Sequence, residues 1–131
     1  MIPATRPQLA AMRGLLVAAG LTVLDGGDGD PVPPCVVLWP TPGDVRAGSL
    51  SGVTSDLEVE LTTVVCGESV DQAMWVADRV QETLLRATPT VAGRTSHPIR
   101  CVWRTAVTRD DDVAPGLWFA SLRWLSLTTP Q

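Results

Sequence analysis

The stretch Leu117-Trp118-Phe119-Ala120-Ser121-Leu122-Arg123-Trp124-Leu125 constrains this chain more than any other. It follows a charged knuckle, Arg109-Asp110-Asp111-Asp112-Val113, and a Pro-Gly break. Successive side chains of a strand point to opposite faces, so a strand with one wet face alternates apolar and polar residues. This one does not. One set is Trp118, Ala120, Leu122 and Trp124, and the other is Leu117, Phe119, Ser121, Arg123 and Leu125. Two mostly apolar faces require two covers, either a second layer of the same chain or another subunit.

A chain of 131 residues is most simply one domain, 1–131, large enough to bury a core without a staple. Its 45% hydrophobic and 18% charged content is that of a globular protein, which removes disorder from consideration. The net charge is -4 and all ten basic residues are Arg, scattered along the chain, so the basic footprint of a nucleic-acid binder is missing. Cys35, Cys66 and Cys101 lie far apart in strand-like runs. An odd number without paired spacing argues against a disulfide framework and for buried thiols in a reducing compartment. Gly14 to Leu24 is apolar, but Asp25 ends it and no small-residue cleavage site follows, so neither a signal peptide nor a membrane span is expected.

Leu9, Met12, Leu16 and Ala19 recur at helical spacing, with Thr5 placed to cap the helix and Gly20 to stop it. Leu21 to Leu24 is a short strand, and the Gly-rich Asp25 to Pro31 stretch is a loop. Cys35 to Trp39, continuous and apolar between prolines, predicts a strand covered on both faces. Pro40 to Ser55 predicts a long loop. From Asp56 to Cys66, Leu57, Val59, Leu61, Thr63 and Val65 alternate with a set that opens on Asp56, Glu58 and Glu60, three carboxylates expected to face water. Ser69 and Gln72 form a capping box that starts a second helix, whose buried stripe is Val70, Ala73, Ala77, Val80 and Leu84. Trp75 falls off that stripe, at the edge of the core or against a partner. Thr88 to Pro98 is a link, and Ile99 to Thr105 a strand. The expected fold class is α+β, a mostly antiparallel sheet of about four to five strands with two helices packed on one face.

Chemistry finds little footing. His97, beside Pro98, has no nucleophile motif near it, and one His with three isolated Cys has no zinc-site spacing. The Asp25–Asp30 loop lacks the trailing Glu of an EF-hand, there is no P-loop, and Asp110 to Asp112 suits a turn or a contact with a partner's arginines. No catalytic, cofactor or metal residues are assigned, and an enzyme is not expected. Five Trp against one Phe and no Tyr points instead to interaction, because Trp and Arg dominate binding hot spots. Candidate interface residues are Trp75, Arg109, Asp110, Asp111, Asp112, Trp118, Arg123 and Trp124.

Five stretches in order carry a resemblance: Pro34-Cys35-Val36-Val37-Leu38-Trp39-Pro40, the acidic strand from Asp56, Gln72-Ala73-Met74-Trp75-Val76-Ala77-Asp78-Arg79-Val80, Val91-Ala92-Gly93-Arg94, and the knuckle Arg109 to Val113. Together they resemble the tail terminator (tail completion) proteins of long-tailed bacteriophages, particularly of actinobacterial hosts, over nearly the whole length. The resemblance implies a homo-oligomeric ring, typically a hexamer, at the head-proximal end of the tail. Such a ring stops growth of the tail tube and offers a surface to the head-side connector. It also implies a virion protein assembled in the host cytoplasm, with no cofactor and no membrane, whose partners are its own copies, the tail tube protein and the neck. DNA would only pass through, and Asp56, Glu58 and Glu60 are the residues expected to face that channel. A head-closure or adaptor protein of the neck, commonly richer in strand, is the alternative in the same setting. A small ligand-binding or enzymatic domain using His97 is the alternative from another class.

Overall fold

The computed structural model describes residues 4–47, 55–111 and 116–131. Helix α1 spans Thr5–Ala18, followed by strands β1 (Val23–Asp25), β2 (Cys35–Pro40), β3 (Asp44–Ala47) and β4 (Ser55–Gly67). Helix α2 spans Val70–Leu84, and β5 (Arg94–Ser96), β6 (Arg100–Arg104), β7 (Thr108–Asp110) and β8 (Leu117–Pro130) complete the order. All eight strands join one sheet, with the path β1-β2-β4-β8-β5. Besides β2, the long strand β4 pairs with β3, while β7, β6 and β5 tile one after another along β8. β1 and β2 run parallel, and every other pairing is antiparallel.

The expected sheet of four to five strands is therefore corrected to eight in a mixed sheet. The difference lies in short strands. β3 forms inside the expected long loop, β5 inside the expected link, and β7 from the charged knuckle itself. Each has three or four residues, too few to show an alternation, and each exists because a long neighbour offers it a ladder. The Pro40 to Ser55 expectation falls partly outside the described residues, as does Asp112.

The register fixes which faces are covered. Leu57, Val59, Leu61, Thr63 and Val65 of β4 stand opposite Thr128, Ser126, Trp124, Leu122 and Ala120 of β8, and all ten are buried. Both helices lie on that face: Met12 and Leu16 from α1, and Val76, Val80 and Leu84 from α2, pack with Leu61, Val65, Leu122 and Trp124 in one core. Each such side chain contributes roughly 1.5–3 kcal/mol on full burial. Gly67 is required where α2 begins, since a Cβ there would collide with the backbone nitrogen of Ala73.

Two local expectations need correction. Thr5 does not cap α1; Ala4 occupies that position without a side-chain bond, and Thr5 Oγ1 instead accepts from the Gly43 amide at 3.1 Å. The buried stripe of α2 is Ala73, Val76, Ala77, Val80 and Leu84, with Val70 exposed. The Ser69 cap does form, with the return bond of Gln72 going to the residue before the cap. Ser69 Oγ accepts from the Gln72 amide at 3.1 Å, and Gln72 Oε1 accepts from the Glu68 amide at 2.7 Å.

Polar groups inside the core are paired. The Trp124 indole donates to Thr63 Oγ1 at 3.0 Å, and that hydroxyl donates onward to the Leu122 carbonyl at 3.2 Å. Gln8, wholly buried on α1, donates to the Ser126 carbonyl at 2.9 Å and to Ser126 Oγ at 3.0 Å, and accepts from Thr128 Oγ1 at 2.8 Å. No buried side-chain nitrogen or oxygen among the described residues lacks a partner.

Candidate assembly interface

The second face of the sheet carries the other half of each alternation. Glu58, Glu60, Thr62, Val64 and Cys66 of β4 stand opposite Leu127, Leu125, Arg123, Ser121 and Phe119 of β8. Among the described residues no helix crosses this face, and all strands belong to the one sheet. The doubly apolar terminal strand thus has one cover from its own chain.

The helix-free face divides into three zones. At one end Leu24, Val37, Trp39, Val64, Leu117 and Phe119 line an open, mostly apolar hollow of about 280 Å³, bounded by the Gly27–Pro31 loop. Gly26, directly after β1, lies on the indole of Trp39, where a Cβ would stand 2.5 Å from the ring. In the centre the Arg123 guanidinium sits 4.8 Å from the centroid of the Trp103 ring, with Glu60 at 3.9 Å. Arg123 is therefore clamped between a π-face and a carboxylate of its own chain. At the far end Leu125 and Leu127 form a shallow cleft with His97, Pro98 and Arg100.

The predicted interface residues are spread over this frame. Trp75 is 54% exposed on α2, beside Met74 and Val70, on the side of the molecule away from the hollow. Arg109 and Asp111 form an exposed pair at 3.2 Å, and Asp110 lines the hollow. Trp118, half-buried, falls by alternation on the helix side, opposite Arg109 and Gly67. Trp124 belongs to the core at 0% exposure, which removes it from the candidate interface. Asp56, Glu58 and Glu60 share the helix-free face and are half-buried, with Glu60 turned to Arg123. Sequence reasoning missed Trp39 and the hollow beside it. The available signal was the failure of Cys35 to Trp39 to alternate, next to a loop rich in glycine.

Cys35 and Cys66 are buried partners across β2 and β4. A hydrogen bond from the Cys66 thiol holds Cys35 below the usual thiol range against the opposing effect of burial. The same bond, with burial, pushes the Cys66 thiol up. The His97 imidazole makes no hydrogen bond among the described residues, and its backbone amide donates to Leu127 at 2.9 Å. Among the described residues no group of three or more His, Cys, Asp or Glu is placed to hold a metal ion, and no helix is long and apolar enough to cross a membrane.

No protein-family model matches the chain, and no curated protein matches it. Among solved structures the chain is similar to one from the virion of a native gene transfer agent (GTA) particle, with a TM-score of 0.61 and 16% identity. The likeness covers 96% of this chain and 92% of that one. At this identity what is shared is the fold.

Proposed function

We propose that this protein is a structural, non-catalytic component of a phage-like virion, and specifically a tail terminator. In this role copies close into a ring, typically of six, on the head-proximal end of the tail tube, stop its growth and offer a joining surface to the neck. The observation that carries this reading is the end-to-end likeness to a chain of a GTA virion, a particle that is itself a virion assembly. The apolar end of the helix-free face supports it, since a hollow lined by Leu24, Val37, Leu117 and Phe119 beside exposed Trp39 suits a chain that is finished by its neighbours. In such a ring Asp56, Glu58 and Glu60 would line the channel, where a negative wall keeps passing DNA from sticking.

The test is the solution mass, by light scattering, with and without the cognate tail tube protein, followed by electron microscopy of the mixture. A closed ring that caps tube ends is the expected result. A persistent monomer that leaves tube length unchanged refutes the proposal.

One observation favours a second reading. The strand-rich composition, eight strands against two helices among the described residues, is the balance expected of a head-closure or adaptor protein of the neck. An adaptor would form a ring that binds the head-side connector and ignores free tube ends, so the same mixture separates the two.

A further inference from the structure

The two long edges of the sheet differ in a complementary way. One edge is β6, which among the described residues pairs only with β8 and leaves its outer backbone groups unpaired by any strand. It bulges between Cys101 and Trp103 and exposes Arg100, Val102, Trp103 and Arg104. Neither Arg100 nor Arg104 has an ion-pair partner among the described residues. The opposite edge is β1, which among the described residues pairs only with β2. It runs into the loop that carries Asp28, Asp30 and the 75%-exposed Val32. Asp25 is neutralised by Arg13 at 3.2 Å, but Asp28 and Asp30 have no ion-pair partner among the described residues. Between the two edges lie four inter-strand steps, about 19 Å at ~4.8 Å each.

We infer that the β6 edge of one copy, through Arg100 and Arg104, seats against the β1 edge and the Asp28–Asp30 loop of the next copy. Two unpaired cations with exposed apolar neighbours on one side meet two unpaired carboxylates with an exposed apolar neighbour on the other. Both sides also present open backbone edges, which are templates for strand pairing. Because the two surfaces are different and lie at opposite ends of the sheet, the contact is head-to-tail, the geometry that closes into rings rather than twofold dimers. The same charges explain which copy meets which: edges of one kind repel each other. This inference rests on the ring proposed above and specifies its seam.

The experiment uses two charge-reversed full-length proteins, Arg100→Asp/Arg104→Asp and Asp28→Arg/Asp30→Arg, whose changes all fall on exposed positions. Each alone is expected to remain monomeric while the unaltered chain forms rings. Mixed in equal amounts they should form rings in which the two variants alternate, since the reversed edge of one meets the reversed loop of the other and the unaltered surfaces meet as before. All four changes in a single chain should restore rings, because the charges are complementary again. Unaltered rings in both variants would leave the ring standing and overturn this seam. Variants that stay monomeric in the mixture and in the fourfold chain would overturn the charge pairing. An unaltered chain that is monomeric alone and with the tube would instead fail the ring itself, and the seam with it.

Discussion

Replacing Gln8 by Met tests how this fold is held where a polar residue stands in the middle of an apolar stripe. Met is unbranched and close in size, so the change removes the amide while keeping the packing. Three hydrogen bonds disappear: two from Gln8 Nε2 to Ser126, and one from Thr128 to Gln8 Oε1. Thr128 keeps a partner, because its hydroxyl also accepts from Arg94 Nε at 2.8 Å, whereas the Ser126 hydroxyl loses its bond to Gln8 in a dry site. At about 0.5–1.5 kcal/mol per bond, with about 1–3 kcal/mol for the stranded group and less the gain from burying Met in place of an amide, the net loss is about 2–4 kcal/mol. Unfolding entropy near ~2.1 cal/mol/K per residue, over a chain of 131 residues, gives about 0.28 kcal/mol/K and a fall in Tm of about 7–14 °C. The assay is thermal and urea unfolding followed by Trp fluorescence, at matched protein concentration because association shifts the midpoint. Adding Ser126→Ala to Gln8→Met should recover part of the loss, since the orphaned hydroxyl goes with it. A Tm change below ~2 °C, or no recovery in the double variant, would refute the account of a paired polar clamp.

Trp124→Ala should cost about 3–5 kcal/mol, while Trp75→Ala, on an exposed helix surface, should stay within about 0.5 kcal/mol of the parent, both by urea unfolding. Ser69→Ala removes the N-cap of α2 and should cost about 1 kcal/mol, with Ser69→Asp recovering most of it. Arg123→Met should change stability by less than about 1 kcal/mol, since the Arg123 and Glu60 side chains are both partly in water. Under native conditions a maleimide should label half-buried Cys101 first and leave Cys35 and Cys66 unmodified until the chain is unfolded, as peptide mass mapping would record.

Local chemistry was legible from the chain. The Ser69–Gln72 cap, the period-two alternation of β4 and the helical spacing of Met12 and Leu16 all depend on neighbours within a few positions, and the structure keeps them. Non-local choices were not. Thr5 has the chemistry of a cap, yet its hydroxyl goes to Gly43, 38 positions away. Gln8 carries no sign of burial until Ser126 and Thr128 are placed beside it. The three shortest strands, β1 aside, take their form from β4 and β8 and have no pattern of their own. Of the site, the unshared apolar face of β8 was visible in the residues 117–125, but which Trp would be covered was not: Trp124 was drawn inward by Thr63, and Trp39 left outside.

The tiling of β7, β6 and β5 along β8 has a consequence for how the chain is made. Half of the sheet has nothing to pair with until residues beyond 117 have emerged from the ribosome. Thr63 waits 61 positions for Trp124, and Gln8 waits 120 for Thr128. Contacts of such separation slow folding, and until they form β4 offers one naked edge and an apolar face to its surroundings. Synthesis rate and chaperone supply should therefore govern the yield of this protein more strongly than the strength of its finished core, and slowing translation before residue 117 should lower the soluble fraction.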